Sequence, residues 1–281
     1  LGMDTTNLYF TGTISGTAYV FDISQSAGVT ATNYPKSLGA VTLTAAEPAL
    51  WVGADTYTYL FAGLSGRFYK WSVNTGSLTT DNTSPTGTVN GRISVIQNKV
   101  YGNDNAGTLW VLNPTTFSST YWSYHDNTNH MNCSVGTSCA STGGLYVDWL
   151  IGTRAFYGDG DGHLYGAYNS TGSTGAQTNA GFPYQPGGNG TSDVFASSPL
   201  YNAGILVAGT TLGTVYVIDT NNGTTGPAKI QTYRFGASTK ISGSGYDNNT
   251  SSYLIATSDA TNKDGKLFYL AASTDPTPTY Y

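Results

Sequence analysis

The chain repeats one short sequence pattern six times. In each copy, a few apolar or aromatic residues lead into a turn that ends in glycine, and a segment of alternating aromatic and apolar residues follows. The turn glycines are Gly16, Gly66, Gly107, Gly162, Gly213 and Gly265, so neighbouring copies lie 41 to 55 residues apart. A period of this length is typical of repeat architectures, in which each unit buries its apolar surface against its neighbours.

Each copy predicts a β-hairpin, because strand-like residues flank a turn whose glycine tolerates a positive φ. A further strand-like segment precedes most hairpins, as at 92–96, and polar turns such as 221–223 lead into a possible fourth strand. Four short antiparallel strands, repeated radially, leave few open sheet edges. The sequence therefore predicts an all-β fold, a six-bladed β-propeller of four-stranded antiparallel blades.

The repeat runs along the chain without a break in composition, so we expect residues 1–281 to form a single β-propeller domain. The first hairpin begins at Leu8, which leaves little room for a strand before it. We therefore expect the segment 278–281 to complete the first blade; the alternative is that the missing strand lies outside this chain.

An aromatic residue stands three positions after each turn glycine, where we expect it to pack between blades. These residues are Tyr19, Tyr69, Trp110, Tyr165, Tyr216 and Phe268.

The charge composition disfavours several classes of partner. Only 10% of the residues are charged, against roughly 25% in an average soluble domain. The net charge is −5, and the 11 lysines and arginines are scattered, so no basic surface for nucleic acid is predicted. No apolar stretch is long enough to span a bilayer. Abundant Gly, Thr, Asn and Tyr suit a secreted all-β protein, and we expect it outside the cell, on its surface or in the periplasm.

The two cysteines, Cys133 and Cys139, are separated by five residues that include a glycine. An even cysteine count in a chain of secreted composition favours a local disulfide. A metal site with His125 and His130 and a redox pair are the alternatives, although zinc would need all four ligands from one loop and a redox pair usually has two intervening residues.

Few residues offer acid or base chemistry. Glu47 is the sole glutamate, and its position before Pro48 suggests a strand residue rather than one of the paired carboxyl groups of a glycosidase. Asp159 and Asp161 are two carboxylates on one turn and could contribute to a calcium site, although Asp-Gly is also common in tight turns without metal. His163 follows a turn glycine and is predicted to lie on the surface.

Two aromatic segments are the candidate binding surface, since Tyr, Trp and amide side chains suit contact with partners. The predicted binding residues are Tyr121, Trp122, Tyr124, His125, His130, Phe182 and Tyr184.

The hairpins resemble the quinoprotein-like β-propeller repeat, also called the PQQ-like repeat. The segment 205–223 matches it best, with a short apolar strand, a turn closed by Gly213, an apolar-Tyr-apolar strand and Asp219. The resemblance implies a propeller fold. Enzymes of that family bind pyrroloquinoline quinone with calcium, often beside a ring formed by adjacent cysteines, and their blades carry a tryptophan docking segment. In this chain Cys133 and Cys139 are not adjacent, and no tryptophan follows Asp219 and Gly223. It is also similar to non-enzymatic members such as outer-membrane assembly factors and the propellers of pilus-tip adhesins.

Three hypotheses about function follow. The first is a secreted or cell-surface, non-catalytic binding or scaffold module for protein or glycan partners, without a cofactor. The second is an enzyme, either a quinone-dependent dehydrogenase or a carbohydrate-active propeller. The third is a structural subunit of an extracellular appendage or surface layer, in which copies associate with each other.

Overall fold

The computed structural model describes residues 2–3, 6–28, 34–53, 57–80, 87–117, 120–124, 145–147, 154–158, 162–168, 176–177, 182–187, 194–195, 197–220, 227–236, 239–247, 249–259, 264–271 and 279–280. Over these residues the chain forms strands and turns, and their 24 strands fall into six consecutive groups of four. We call these groups blades 1 to 6.

Blades 1 to 3 contain the first twelve strands. Blade 1 comprises β1 (Gly2–Met3), β2 (Asn7–Ile14), β3 (Thr17–Ser24) and β4 (Lys36–Ser37). Blade 2 comprises β5 (Leu43–Val52), β6 (Thr58–Leu64), β7 (Arg67–Ser72) and β8 (Leu78–Thr80). Blade 3 comprises β9 (Val89–Ile96), β10 (Lys99–Asp104), β11 (Leu109–Leu112) and β12 (Thr120–Tyr124).

Blades 4 to 6 contain the other twelve. Blade 4 comprises β13 (Leu145–Val147), β14 (Arg154–Gly158), β15 (Leu164–Tyr168) and β16 (Ala176–Gln177). Blade 5 comprises β17 (Leu200–Asn202), β18 (Ile205–Gly209), β19 (Thr214–Asp219) and β20 (Ala228–Arg234). Blade 6 comprises β21 (Thr239–Asp247), β22 (Ser252–Asp259), β23 (Asp264–Ala271) and β24 (Thr279–Tyr280).

Each blade is an antiparallel meander in which the strands pair in chain order. A single parallel pairing of Glu47 with Arg92 joins blades 2 and 3 into one eight-stranded sheet, so Glu47 lies in a strand, as its sequence context suggested. Successive blades approach each other mainly through the first strand of the later blade: β5 lies against β2, β9 against β5, β13 against β9, and β21 against β18 and β17. Contact on the first-strand side is what a radial arrangement requires, and the all-β propeller class is confirmed.

The turn glycines have the predicted conformation in five of the six blades. Gly16, Gly66, Gly107, Gly162 and Gly213 all have φ between +74° and +84°. Gly265 differs, because it pairs with Ser258 inside the extended hairpin of blade 6. Asp259 pairs with Asp264, so the connection between the second and third strands of blade 6 precedes Gly265 in the chain.

Both faces of a blade are buried, because successive residues of a strand point to opposite sides. In β6, Leu60 and Ala62 pack toward blade 1, whereas Phe61 between them packs toward blade 3. In β18, Leu206 packs toward blade 4 and Val207 toward blade 6. This double burial explains why the second strands read as continuous apolar runs rather than as alternating ones.

Five hydrophobic clusters join successive blades, one at each junction from blades 1 and 2 to blades 5 and 6. Their most buried members include Leu60 between blades 1 and 2, Phe61 between 2 and 3, Tyr101 between 3 and 4, Phe156 between 4 and 5, and Ile255 between 5 and 6.

The predicted interblade aromatics are buried in three of six blades. Tyr165, Tyr216 and Phe268 lie in clusters shared with the preceding blade. The other three, Tyr19, Tyr69 and Trp110, are half-buried. Tyr69 and Trp110 still pack against the cluster shared with the preceding blade, whereas Tyr19 packs in none of the clusters formed by the described residues.

The prediction that the C-terminal segment completes blade 1 was wrong. In β24, Tyr280 and Thr279 pair with Phe268 and Tyr269, so this strand is the fourth of blade 6. Blade 1 has its own first strand, β1, in which Gly2 pairs with Tyr9.

Glycines in the second strands allow blades to approach closely. A Cβ atom added to Gly209 would lie far inside van der Waals distance of the Ile241 side chain in blade 6. At Gly158, the added atom would lie 2.5 Å from Cβ of Phe195. These positions therefore require glycine for interblade packing rather than for an unusual φ.

We expect Gly209→Ala to lower the free energy of unfolding by about 1–3 kcal/mol, because Ile241 must move. Gly243→Ala is the matched control, since its added Cβ would meet no atom within 4 Å, and its effect should stay within about 0.5 kcal/mol. Urea unfolding followed by tryptophan fluorescence measures both. Equal unfolding midpoints for the two variants would show that the blades do not pack as described.

Candidate binding surface

A β-bulge in the fourth strand of blade 3 displays Tyr121. Val111 pairs with Trp122 and Leu112 with Thr120, so Tyr121 is the extra residue between them. Its side chain is 39% exposed. A bulge changes the direction in which a side chain points, so Tyr121 is directed outward at an edge strand.

The same bulge occurs in blade 5. Val217 pairs with Gln231 and Ile218 with Lys229, which leaves Ile230 as the extra residue. Val111 and Val217 both stand four positions after their turn glycine, so the two bulges are equivalent in the repeat. Ile230 is 55% exposed, the highest value among the large apolar residues that the structure describes. We call Tyr121 and Ile230 the bulge residues.

Two residues predicted to bind a partner beside Tyr121 are instead buried. Trp122 is 4% exposed and Tyr124 is 7% exposed, and both belong to the cluster between blades 3 and 4. Trp122 meets the ring of Tyr101 edge-on, with 6.3 Å between centroids. The prediction treated this segment as a loop, but it forms a strand whose alternation turns these two rings inward.

The second predicted segment, around Phe182 and Tyr184, is also part of the packed frame. Phe182 is 3% exposed, and its ring lies 6.0 Å from that of Phe156. Tyr184 is half-buried and bridges to Leu164, and its hydroxyl oxygen accepts a hydrogen bond from the backbone N–H of Lys229 at 3.0 Å. Neither ring is displayed as a loop residue would be.

The remaining predicted site residues lie outside the described part of the chain. These are the binding candidates His125 and His130, the disulfide candidates Cys133 and Cys139, and the calcium candidates Asp159 and Asp161. The disulfide and the calcium site therefore stay predictions. His163 is described and is half-buried, which corrects its predicted surface position.

Several cationic side chains bind other residues of the propeller at junctions between blades. Lys70 of blade 2 donates hydrogen bonds to the carbonyl oxygens of Pro114 (3.0 Å) and Thr115 (3.2 Å), and its ammonium lies 4.6 Å from the Tyr59 ring. Arg154 of blade 4 donates to the Tyr201 hydroxyl of blade 5 at 2.8 Å and lies over that ring at 4.8 Å. Cation–π contacts of this kind stabilise the junctions between blades. The cationic groups of Lys70 and Arg154 are therefore engaged by residues of the propeller itself.

Lys229 of blade 5 acts similarly toward blade 4. Its ammonium donates a hydrogen bond to the carbonyl oxygen of Pro186 at 3.0 Å and lies 6.0 Å from the ring of Tyr216. It stands directly before Ile230. These two contacts fix the side chain of the residue directly before the bulge.

Asp104 is fully buried at the end of β10 and organises the turn that follows it. One carboxylate oxygen accepts hydrogen bonds from the backbone N–H groups of Ala106 (3.0 Å) and Thr108 (2.9 Å). The other accepts from Nε1 of Trp110 (2.9 Å) and from the backbone of Gly87 (3.3 Å). In blade 5 the hydroxyl of Thr210 takes the equivalent position and accepts from the Thr214 N–H at 3.0 Å. This carboxylate therefore has a structural role.

Burial also holds several phenol groups in their neutral form. It raises the pKa of Tyr34 to about 12, with a further contribution from Asp22, and it raises the pKa of Tyr253 to about 12. Burial raises the pKa of Tyr101 above its usual range as well. These hydroxyl groups stay protonated near neutral pH and are unsuited to act as bases.

Within the described ranges, no group of three or more His, Cys, Asp or Glu side chains is placed to hold a metal ion. The same ranges contain no helix of the length and hydrophobicity needed to cross a bilayer.

Comparison with known proteins supports the fold and leaves the family open. No protein-family model matches the sequence, and no curated protein matches it significantly. The computationally designed Ika8 protein has a similar structure, with a TM-score of 0.53 and 13% identity over 92% of this chain and 70% of that one. A chain in the crystal structure of the mitotic checkpoint complex has a TM-score of 0.62 and 12% identity, over 94% of this chain and 70% of that one.

Both neighbours are β-propellers, and the class of this chain is therefore β-propeller. Identity this low supports the fold alone. The PQQ-like type of repeat, inferred from the hairpin sequences, stays a prediction.

The bulge itself is the feature of this surface that the sequence did not reveal. Tyr121 was predicted as one of several aromatic loop residues, and Ile230 was not predicted at all. A bulge depends on how two strands pair, and no turn residue or periodicity in 120–124 or 228–234 marks it.

We expect Asp104→Asn to lower the free energy of unfolding by about 1–3 kcal/mol, because an amide NH₂ would face donors that now meet a carboxylate. Trp110→Phe removes one of the four donors and should cost less. Asp247→Asn is the control: Asp247 ends β21 and accepts hydrogen bonds from the backbone N–H of Asn249, from the Thr250 hydroxyl and, at 3.4 Å, from the Tyr269 hydroxyl. The first two of these bonds are exposed, so water can replace them. Urea unfolding measures all three variants, and a loss for Asp247→Asn as large as that for Asp104→Asn would contradict the structural role.

Proposed function

We propose that this β-propeller is a secreted or cell-surface binding and scaffold module without catalytic activity. Its rigid frame presents the perimeter of the blades to a partner. The main support is the repeated bulge, which exposes Tyr121 and Ile230 at equivalent positions of two blades. Large apolar side chains on a fixed strand suit partner contacts because little conformational entropy is lost when they bind.

The use of charge within the frame supports a non-catalytic role. Lys70, Arg154 and Lys229 are engaged at blade junctions, and Asp104 accepts hydrogen bonds from three donors at 106–110 and from the backbone N–H of Gly87. Acid–base catalysis needs a titratable group within reach of a substrate and with a pKa near the working pH. Groups engaged in this way are poor candidates for acid–base catalysts. The proposed module also acts without a cofactor.

The chemistry of the bulge residues favours a protein over a glycan as the partner. A tyrosine ring suits either class, but Ile230 has no aromatic face on which a sugar could stack and no polar group for its hydroxyls. An apolar side chain surrounded by polar residues is typical of the centre of a protein contact. A bulge with a neighbouring lysine also protects an edge strand from unwanted pairing, which fits a perimeter that binds through side chains.

The test compares variants on arrays of purified extracellular glycoproteins and of free glycans, probed with the labelled protein. We expect binding to a protein target, and we expect Tyr121→Ser or Ile230→Ser to weaken it at least about tenfold. The matched control is Tyr57→Ser, because Tyr57 is 41% exposed and is not a bulge residue. An equal loss for Tyr57→Ser, or binding that survives both bulge substitutions, would refute the assignment.

The enzymatic alternative has its own test. The purified protein is incubated with calcium and pyrroloquinoline quinone, and dye reduction is followed with a panel of alcohols and sugars. We expect no reduction above that of a boiled sample. Turnover that needs both additions would replace the scaffold proposal with the dehydrogenase alternative.

A further inference from the structure

The segment 228–266, which runs from the outer strand of blade 5 into blade 6, is a positively charged part of an acidic chain. It contains five of the 11 lysines and arginines but only three of the 16 acidic residues, so its net charge is +2, whereas that of the whole chain is −5. One of the five cations, Lys229, is bound to blade 4. Three others, Arg234, Lys240 and Lys266, have exposed side chains.

These three cations differ from the cations at the blade junctions. Lys70 and Arg154 donate hydrogen bonds across a junction, and the Lys36 ammonium lies 5.2 Å from the centre of the Tyr34 ring. The charged groups of the three exposed cations make no such contact with the residues that the structure describes. Their charge is therefore open to a ligand from outside the chain.

The connection between blades 5 and 6 brings two of these cations to one end of the propeller. Arg234 ends β20 and pairs with Thr214, the residue directly after the turn glycine of blade 5. Lys240 is the second residue of β21, and the N–H of the next residue, Ile241, donates a hydrogen bond to the carbonyl oxygen of Thr210 at 3.0 Å. The two cations thus lie on either side of the turn between β18 and β19.

That turn displays an apolar side chain, Leu212, which is 46% exposed. The next residue, Gly213, lies against the connection between the blades. Its carbonyl oxygen accepts a hydrogen bond from the N–H of Phe235 at 2.8 Å, and a Cβ added to it would collide with the carbonyl oxygen of Gly236. Leu212 therefore stands beside the connection whose two ends carry the cations, and close backbone packing fixes its position.

The third cation, Lys266, reaches the same end from the third strand of blade 6. It pairs with Thr257, which pairs in turn with Ile241, so its backbone lies two strand spacings, about 10 Å, from the start of β21. Phe268 lies on the same side of the strand, and its ring centre is 4.4 Å from that of Phe235. Lys266 is thus on the side of blade 6 that faces blade 5. We call the four residues the basic end surface: Leu212, Arg234, Lys240 and Lys266.

The chemistry of the basic end surface defines a class of ligand. Exposed cations that no described residue engages attract clustered carboxylates. Leu212 offers no polar side-chain group to a sugar hydroxyl, and three cations are fewer than the roughly four to eight that bind anionic lipid. A protein segment presents acidic and apolar side chains along one backbone. In extended form it advances about 3.3 Å per residue, so a few residues span the distance between these cations.

We propose that the basic end surface binds an acidic segment of a protein partner, with carboxylates on the three cations and an apolar side chain on Leu212. This surface is separate from the bulge residues: Ile230 lies within the outer strand of blade 5, four residues before the strand ends. The inference therefore adds a second contact to the proposed binding function. Ion pairs on an exposed surface are weak and are screened by salt, so the contact is sensitive to ionic strength.

Fluorescence polarisation of the purified chain with labelled synthetic peptides tests the proposal. The peptides carry aspartate and glutamate at varied positions around one central leucine. We expect binding that weakens at least about fivefold between about 50 and about 300 mM NaCl. Arg234→Glu and Lys266→Glu should each weaken it at least about fivefold, because each replaces an attraction by a repulsion, and Leu212→Ser should weaken it at least about threefold.

Lys99→Glu is the matched control, because it makes the same change in net charge at the other end of the propeller. Lys99 begins β10 beside the turn at 97–98, whereas the basic end surface lies at the end where β10 finishes. This variant should bind the peptides as the unsubstituted chain does. Two control peptides complete the set: one replaces the acidic residues by their amides, and the other replaces the leucine by serine. Unchanged thermal melts establish that the variants fold, and Lys266→Gln provides a milder substitution at the same position.

Heparin fragments and phosphatidylserine vesicles are the competing anionic probes. Tighter binding to either of them than to any acidic peptide, equal weakening by Lys99→Glu, or no peptide binding that the substitutions at the basic end surface reduce would each overturn the proposal. Tyr121→Ser and Ile230→Ser should leave peptide binding unchanged. Failure here therefore leaves the binding function of the bulge residues standing, and failure of the bulge residues leaves this surface standing.

Discussion

The structure depends on the alternation of side chains along the second and third strands of each blade. Because neighbouring residues point to opposite sides, one strand supplies apolar side chains to two junctions at once, as Leu60 and Phe61 do in blade 2. Burial on both sides explains how a chain with 39% hydrophobic residues builds five interblade clusters. A one-residue slip of register would exchange the two sides and disrupt both junctions.

Because both faces of the central strands are buried, several charged residues act in turns and at junctions between blades. With only 10% charged residues, the chain uses them at particular places: Asp104 gathers the donors of a turn, Lys70 caps the carbonyl groups of Pro114 and Thr115, and Arg154 joins blades 4 and 5 through Tyr201. Charge-assisted hydrogen bonds are stronger than neutral ones, so a few such groups suffice. In the proposed function, contacts with a partner fall to side chains that the strand pairing directs outward, such as Tyr121 and Ile230.

The sequence predicted the repeat unit well, because glycine turns and alternating strands are local signals. Five of the six turn glycines have the left-handed φ that the hairpins required, and the four-strand blades follow. It predicted side-chain exposure poorly where exposure depends on pairing. Trp122 looked like a loop aromatic, yet its strand turns it inward, while Tyr121 beside it is directed outward by a bulge. The register of β12 against β11 decides between them, and no residue within 120–124 encodes that register by itself.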